Sequence, residues 1–139
     1  MTIQNAIISL WDNGIDKFYL VSVPPEDQYQ YISGKPCITV GFAYEYGNGR
    51  FKGYDTFTLF DHFYIDILEA MKKTYRAVNG SFRLYDLGAD SDGYVDFNME
   101  NGKLHVEGRL GATFSSHALK FEFDADQTLL EALIHSLTI

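Results

Sequence analysis

A chain of 139 residues with 46% apolar and 22% charged side chains has the size and composition of one ordinary globular domain, able to bury a core without disulfide or metal staples. Its formal net charge of -8, with only 11 Lys and Arg spread along the sequence, argues against nucleic-acid binding, which needs a basic patch. No apolar run reaches membrane-spanning length, the first residues lack the pattern of a secretory signal, and a single cysteine, Cys37, cannot form an internal disulfide; the expectation is a soluble protein of the reducing cytoplasm.

Aromatic residues at 16%, mostly 11 Phe and 10 Tyr, favour pleated sheet. Residues 6–11 and 18–23 are two β-prone runs around Asn13-Gly14, a dipeptide that supplies the positive φ of a turn, so a hairpin with a somewhat longer loop is predicted. Pro24-Pro25 ends the second run, because proline has no ladder donor. Residues 26–36, rich in Gln, Tyr and Pro, give no readable signal. The alternation of Ile38, Val40, Phe42, Tyr44 and Tyr46, the break at Gly47-Asn48-Gly49 and the β-prone run 51–59 predict a second hairpin.

A helix over 61–78 follows, with Asp61 as its cap, Ile65, Ile67, Leu68, Met71 and Tyr75 as its apolar stripe, and cations in its last turns ahead of Asn79-Gly80. Strands are then predicted at Phe82 and Leu84, over 94–100, over 103–114 and over 118–124. Asp126 caps a closing helix to residue 137 that gathers Leu129, Leu130, Leu133, Ile134 and Leu137 on one face. No internal repeat or linker is visible. The fold expected is therefore a single α+β domain over 1–139: an antiparallel sheet, curved or two-layered, with two helices packed against it.

The alternation in the last three strands sends Val95, Phe97, Met99, Leu104, Val106, Phe121 and Phe123 to one face and polar residues to the other. With Asn101-Gly102 as a two-residue turn, Asp96 falls opposite Glu107 and Tyr94 opposite Arg109. With Ser115-Ser116 turning the chain in the same way, Glu107 falls opposite Asp124 and Arg109 opposite Glu122. Two rows result: Asp96, Glu107 and Asp124, all acidic, and Tyr94, Arg109 and Glu122, in which charge meets countercharge. Like charges directly opposite one another destabilise a sheet, so the acidic row is the local inconsistency that marks a candidate surface for a basic protein partner.

Other chemistry is not signalled. His62, His105, His117 and His135 include no pair spaced for metal on one helix or strand face, and no nucleophile elbow or phosphate-cradling glycine loop is present. No catalytic residue, metal or cofactor is expected.

The pattern Gly80-x-Phe82, Gly102-x-Leu104-x-Val106-x-Gly108 and Leu119-x-Phe121-x-Phe123-x-x-Asp126-Gln127-x-x-Leu130, with Phe51-x-Gly53 ahead of the first helix, resembles the small bacterial immunity proteins of the wall-associated contact-toxin type and their uncharacterised relatives. That resemblance implies a β-rich core with a helix between strands and another at the end, and a cytoplasmic protein that binds and blocks a cognate toxin domain. It supplies no catalytic or ligand residue, and residues 1–36 do not contribute to it. Two other readings stay open: a small-molecule carrier or enzyme whose pocket is lined by Trp11 and tyrosines, and a homo-oligomeric structural subunit.

Overall fold

The computed structural model describes residues 7–22, 29–32, 35–85, 93–111 and 118–138. In chain order they form β1 (Ile7–Asp12), β2 (Asp16–Ser22), β3 (Tyr29–Ile32), β4 (Lys35–Tyr46), β5 (Phe51–Phe60), α1 (Asp61–Ala77), β6 (Gly80–Tyr85), β7 (Tyr94–Glu100), β8 (Lys103–Leu110), β9 (Leu119–Asp126) and α2 (Gln127–Leu137). The strands make two antiparallel sheets, so the α+β class with a two-layered sheet and a C-terminal helix is observed.

β4 is the backbone of the first sheet. β5 runs along one of its sides from Cys37 to Tyr46, so β2 and β3 share the other, β2 opposite Val40 to Tyr46 and β3 opposite Lys35 to Ile38. β1 pairs outside β2, with a register shift between Ser9 and Trp11. The second sheet is a simple meander in the order β6-β7-β8-β9. Leaving β3 aside, four paired strands followed by a helix occur twice along the chain, a repetition of topology with no matching repetition of residues.

Two of the predicted connections are built as their residues require. Gly47, Asn48 and Gly49 all have positive φ between β4 and β5, and Asn101 and Gly102 have φ of 51° and 82° between β7 and β8, the paired positive values of a two-residue hairpin whose twist matches its strands. The short strand β3 lies in the stretch that sequence left unreadable. Ser115, Ser116 and the prolines Pro24 and Pro25 lie outside the described residues.

Inward alternation on both sheets joins them through aromatic rings. Phe18 of β2 stacks on Phe42 of β4 at 5.6 Å between centroids and meets Phe97, Phe121 and Phe123 of the second sheet at 6.4, 5.9 and 5.6 Å. Tyr44 stacks on Phe121 at 4.6 Å, and its hydroxyl donates to Asp16. Close approach of the two layers also needs Gly53: a Cβ there would lie 2.8 Å from Cβ of Leu119. The buried side chains of both sheets and both helices belong to one continuous cluster.

α1 packs against β4, β5, β6 and α2, and α2 packs against α1, β1 and β9. On α2 the expected stripe is in place, with Leu129, Leu130, Leu133 and Leu137 buried and Asp126 capping the helix by accepting from the Thr128 N–H at 2.9 Å. On α1 the stripe needs correcting. Tyr64, Ile67, Met71 and Thr74 are the buried set, whereas Ile65 is exposed. The helix is rotated to bring the Tyr64 hydroxyl to the carbonyl of Leu137, which ties the two helices together at the end of α2.

One buried carboxylate holds the layers at their far end. Asp55 of β5 is buried and accepts from the backbone N–H of Gly111, just past β8, at 3.0 Å, while its other oxygen accepts from the Thr56 N–H at 2.8 Å. A buried N–H that loses its acceptor carries the full cost of its desolvation. Asp55→Ala is therefore expected to lower unfolding free energy by about 2 kcal/mol or more, read as a shift in urea midpoint at constant m-value; a midpoint within error of the parent would show that this bond does not hold the sheets.

Candidate functional site

The outer face of the second sheet is mostly polar, and at its β6 edge Tyr85 meets Phe63 of α1 at 4.9 Å between ring centroids. Strand pairing arranges its residues in ranks that run from β6 to β9. Tyr85, Tyr94, Arg109 and Lys120 form one rank; Arg83, Asp96, Glu107 and Glu122 the next; Ser81, Asn98, His105 and Asp124 the third. Glu100, Lys103 and Asp126 complete it at the hairpin end.

The β7–β8 half of the expected site is observed: Asp96 faces Glu107 and Tyr94 faces Arg109. The β8–β9 half is displaced by two residues. Glu107 faces Glu122 instead of Asp124, and Arg109 faces Lys120 instead of Glu122, so the acidic rank is Asp96, Glu107 and Glu122, with Asp124 one rank away opposite His105. Leu110 pairs with Leu119, whereas a two-residue turn centred on Ser115-Ser116 would pair it with Phe121. Because the displacement is an even number of residues, every side chain keeps its face while changing its partner.

Compensation of charge is uneven across this face. Asp96 is held by Arg83, which donates from Nε to Oδ1 at 2.6 Å and from Nη2 to Oδ2 at 2.8 Å, a bidentate pair, while the guanidinium lies 4.4 Å from the ring centroid of Tyr94. The cation over Tyr94 is thus Arg83, a residue that sequence reading did not single out because it sits on β6, outside the three strands whose pairing could be argued. On the other side of the rank, no lysine or arginine pairs with Glu107, Glu122 or Asp124 among the described residues. Glu122 and Asp124 instead share His105, with Nδ1 2.7 Å from Asp124 Oδ1 and Nε2 3.2 Å from Glu122 Oε2. The Asp124 hydrogen bond is the largest influence raising the His105 pKa above its ordinary value; partial desolvation opposes it, and the Glu122 contact adds to it. Glu122 and Asp124 remain 69% and 88% exposed.

At the β9 edge the acidic side chains meet an exposed apolar patch. Tyr46 and Phe51, the residues that flank the β4–β5 turn, are 44% and 60% exposed and 6.4 Å apart between ring centroids. Ile15 is exposed in the β1–β2 loop, and its carbonyl accepts from the Gly47 N–H of the same turn. Tyr46, Phe51, Lys120 and Glu122 share a shallow concavity of about 250 Å³. Tyr46 is legible as part of an alternating strand and Phe51 as part of the Phe51-x-Gly53 pattern, but their exposure is not, because strand alternation does not tell which residues the other sheet leaves uncovered.

Besides a concavity of about 450 Å³ along Phe51, Gly53 and Leu119, two larger ones are present. One of about 900 Å³ runs around the β7–β8 hairpin between Trp11, Asn98, Glu100, Lys103, His105 and Asp124. The other, about 620 Å³, lies between the helices, lined by Lys72, Tyr75, Arg76, Glu131 and His135 among others. No helix among the described residues is long and apolar enough to cross a membrane. No family model, no curated protein and no solved structure matches the chain.

The imidazole of His105 is expected to titrate above the ordinary histidine value of about 6.5, and Asp124→Asn to bring its midpoint down by removing the stronger of its two partners. Side-chain NMR across pH 5 to 9 measures this directly, and a midpoint insensitive to Asp124 would remove the bridge from the description of the site.

Proposed function

We propose that this chain is a non-enzymatic protein-binding module that docks a basic partner on the β9 side of its second sheet, and that it acts as an immunity protein, sequestering a toxin domain in the cytoplasm. The observation that carries the reading is the adjacency of two unlike surfaces. Glu107, Glu122 and Asp124 have no Lys or Arg partner among the described residues, and Glu122 shares a concavity with exposed Tyr46 and Phe51.

An exposed aromatic pair is the usual anchor of a protein interface, where a few Trp, Tyr and Arg contacts carry most of the affinity. Carboxylates around such an anchor add long-range attraction for a basic partner and raise the rate of encounter. The net charge of -8 acts in the same direction. The immunity assignment rests on the resemblance of residues 51–137 to that family, and the surface gives such a protein a physical means of recognising a basic toxin domain.

The test is co-expression with a toxin domain encoded beside this chain. Growth should be protected, and purified complex should form with an association rate that falls steeply with salt. Phe51→Ala is expected to cost about 2 kcal/mol of affinity, mostly in dissociation. Glu122→Lys is expected to slow association several-fold at low salt and to flatten its salt dependence. Absence of any neighbouring toxin, or protection that survives both substitutions together, would overturn the proposal.

A further inference from the structure

The uncompensated corner of the outer face contains more than carboxylates. His105 and Glu107 lie two apart on β8 and therefore share a face, Glu122 lies opposite Glu107, and Asp124 lies opposite His105, so four potential metal or second-sphere groups occupy a two-by-two block of adjacent strands. One ligand atom each from His105, Glu107 and Glu122 can be chosen so that all three lie within 4.8 Å of one another. Coordination at 2.0 to 2.2 Å requires ligand atoms roughly 3 to 3.5 Å apart, a contraction within reach of two exposed glutamate side chains turning about their own bonds.

We propose that His105, Glu107 and Glu122 bind a divalent first-row transition ion of the zinc, cobalt or manganese kind, with Asp124 as the group that orients the imidazole. Metal-binding histidines characteristically donate their second ring N–H to a carboxylate, which fixes the tautomer and the ring plane. Nδ1 of His105 stands 2.7 Å from Asp124 in that relation. With the Nδ1 proton given to Asp124, the Nε2 lone pair is directed at a carboxylate oxygen 3.2 Å away, two electron-rich atoms that need a positive species between them. A proton satisfies that need for Nε2 and Glu122 alone. A divalent ion satisfies it for Nε2, Glu122 and Glu107 together, and it also neutralises two glutamates that face each other across the strands.

One imidazole nitrogen with two carboxylates suits borderline divalent ions, whereas calcium and magnesium prefer oxygen ligands throughout. Three protein ligands leave the remaining coordination positions to solvent. No sign of this set is visible in the residues alone, because in the expected register His105 and Asp124 are not partners and Glu122 does not face Glu107. This inference concerns a ligand and does not depend on the docking reading, since it is tested on the chain alone.

The experiment is calorimetric titration of the purified chain with zinc, manganese and calcium chlorides, accompanied by side-chain NMR of the histidines. One zinc ion per chain is expected to bind, with the His105 Nε2 resonance shifting on saturation. His105→Gln and Glu122→Gln should each remove that binding, Asp124→Asn should weaken it roughly tenfold, and His135→Gln should leave it unchanged. All four positions are partly or fully exposed, and circular dichroism checks that each variant folds. Absence of one-to-one zinc binding, calcium binding as tight as zinc, or zinc binding that persists in His105→Gln would overturn the proposal.

Discussion

The contact of Phe18 with rings of both sheets is the constraint from which the rest of this structure follows. Phe18 meets Phe97, Phe121 and Phe123 from the first layer, and Tyr44 stacks on Phe121 and Phe123 beside it. Once those three phenylalanines are turned inward, strand alternation obliges Asp96, Asn98, Glu122 and Asp124 to turn outward. Aromatic pairs of this kind contribute about 0.5 to 1.5 kcal/mol each beyond the area they bury, and together the rings around Phe18 outweigh a single exposed charge pair worth about 0.2 to 1 kcal/mol. Composition of that outer face is therefore free to be decided by something other than folding.

Legibility in the sequence followed the same hierarchy. Face assignment in β7, β8 and β9 could be read because it depends on a period of two that any local run displays. The β7–β8 partners could be read as well, because Asn101-Gly102 fixes the register through backbone geometry alone. Partners across β8 and β9 could not. Their register depends on where the turn between them is centred, and Leu110 pairs with Leu119 instead of with Phe121, the partner that a two-residue turn at Ser115-Ser116 would give it. An error of two residues costs nothing in hydrophobic pattern, so the inward residues offered no warning of it.

The helices show the complementary limit. The stripe of α2 was legible since leucines dominate it and no polar group competes. α1 carries apolar residues on more than one side, and its orientation is settled by tertiary partners: Tyr64 reaches the Leu137 carbonyl and Met71 is fully buried, while Ile65 is left in solvent. Likewise, β3 pairs with the first half of β4 on the strength of backbone bonding, which a short segment of Tyr, Gln and Ile between unreadable neighbours does not announce. The repeated order of four paired strands and a helix is a property of topology and has no counterpart in the residues.

Compensation on the outer face declines from β6 toward β9. Arg83, Asp96 and Tyr94 form a satisfied set at one side, and Glu122 and Asp124 share one histidine at the other. A like-charge pair such as Glu107 and Glu122 opposes the sheet by only some tenths of a kcal/mol in exposed surroundings, little enough for the aromatic interior to absorb. Nothing in the folding of β8 and β9 calls for acids at these positions, since a threonine or lysine at 122 would serve the strand better. Local preference and observed residue disagree there, as they do for Arg109 facing Lys120 one rank away, and both like-charge pairs lie across β8 and β9. That shared location on β8 and β9 is the physical reason for the docking surface proposed there.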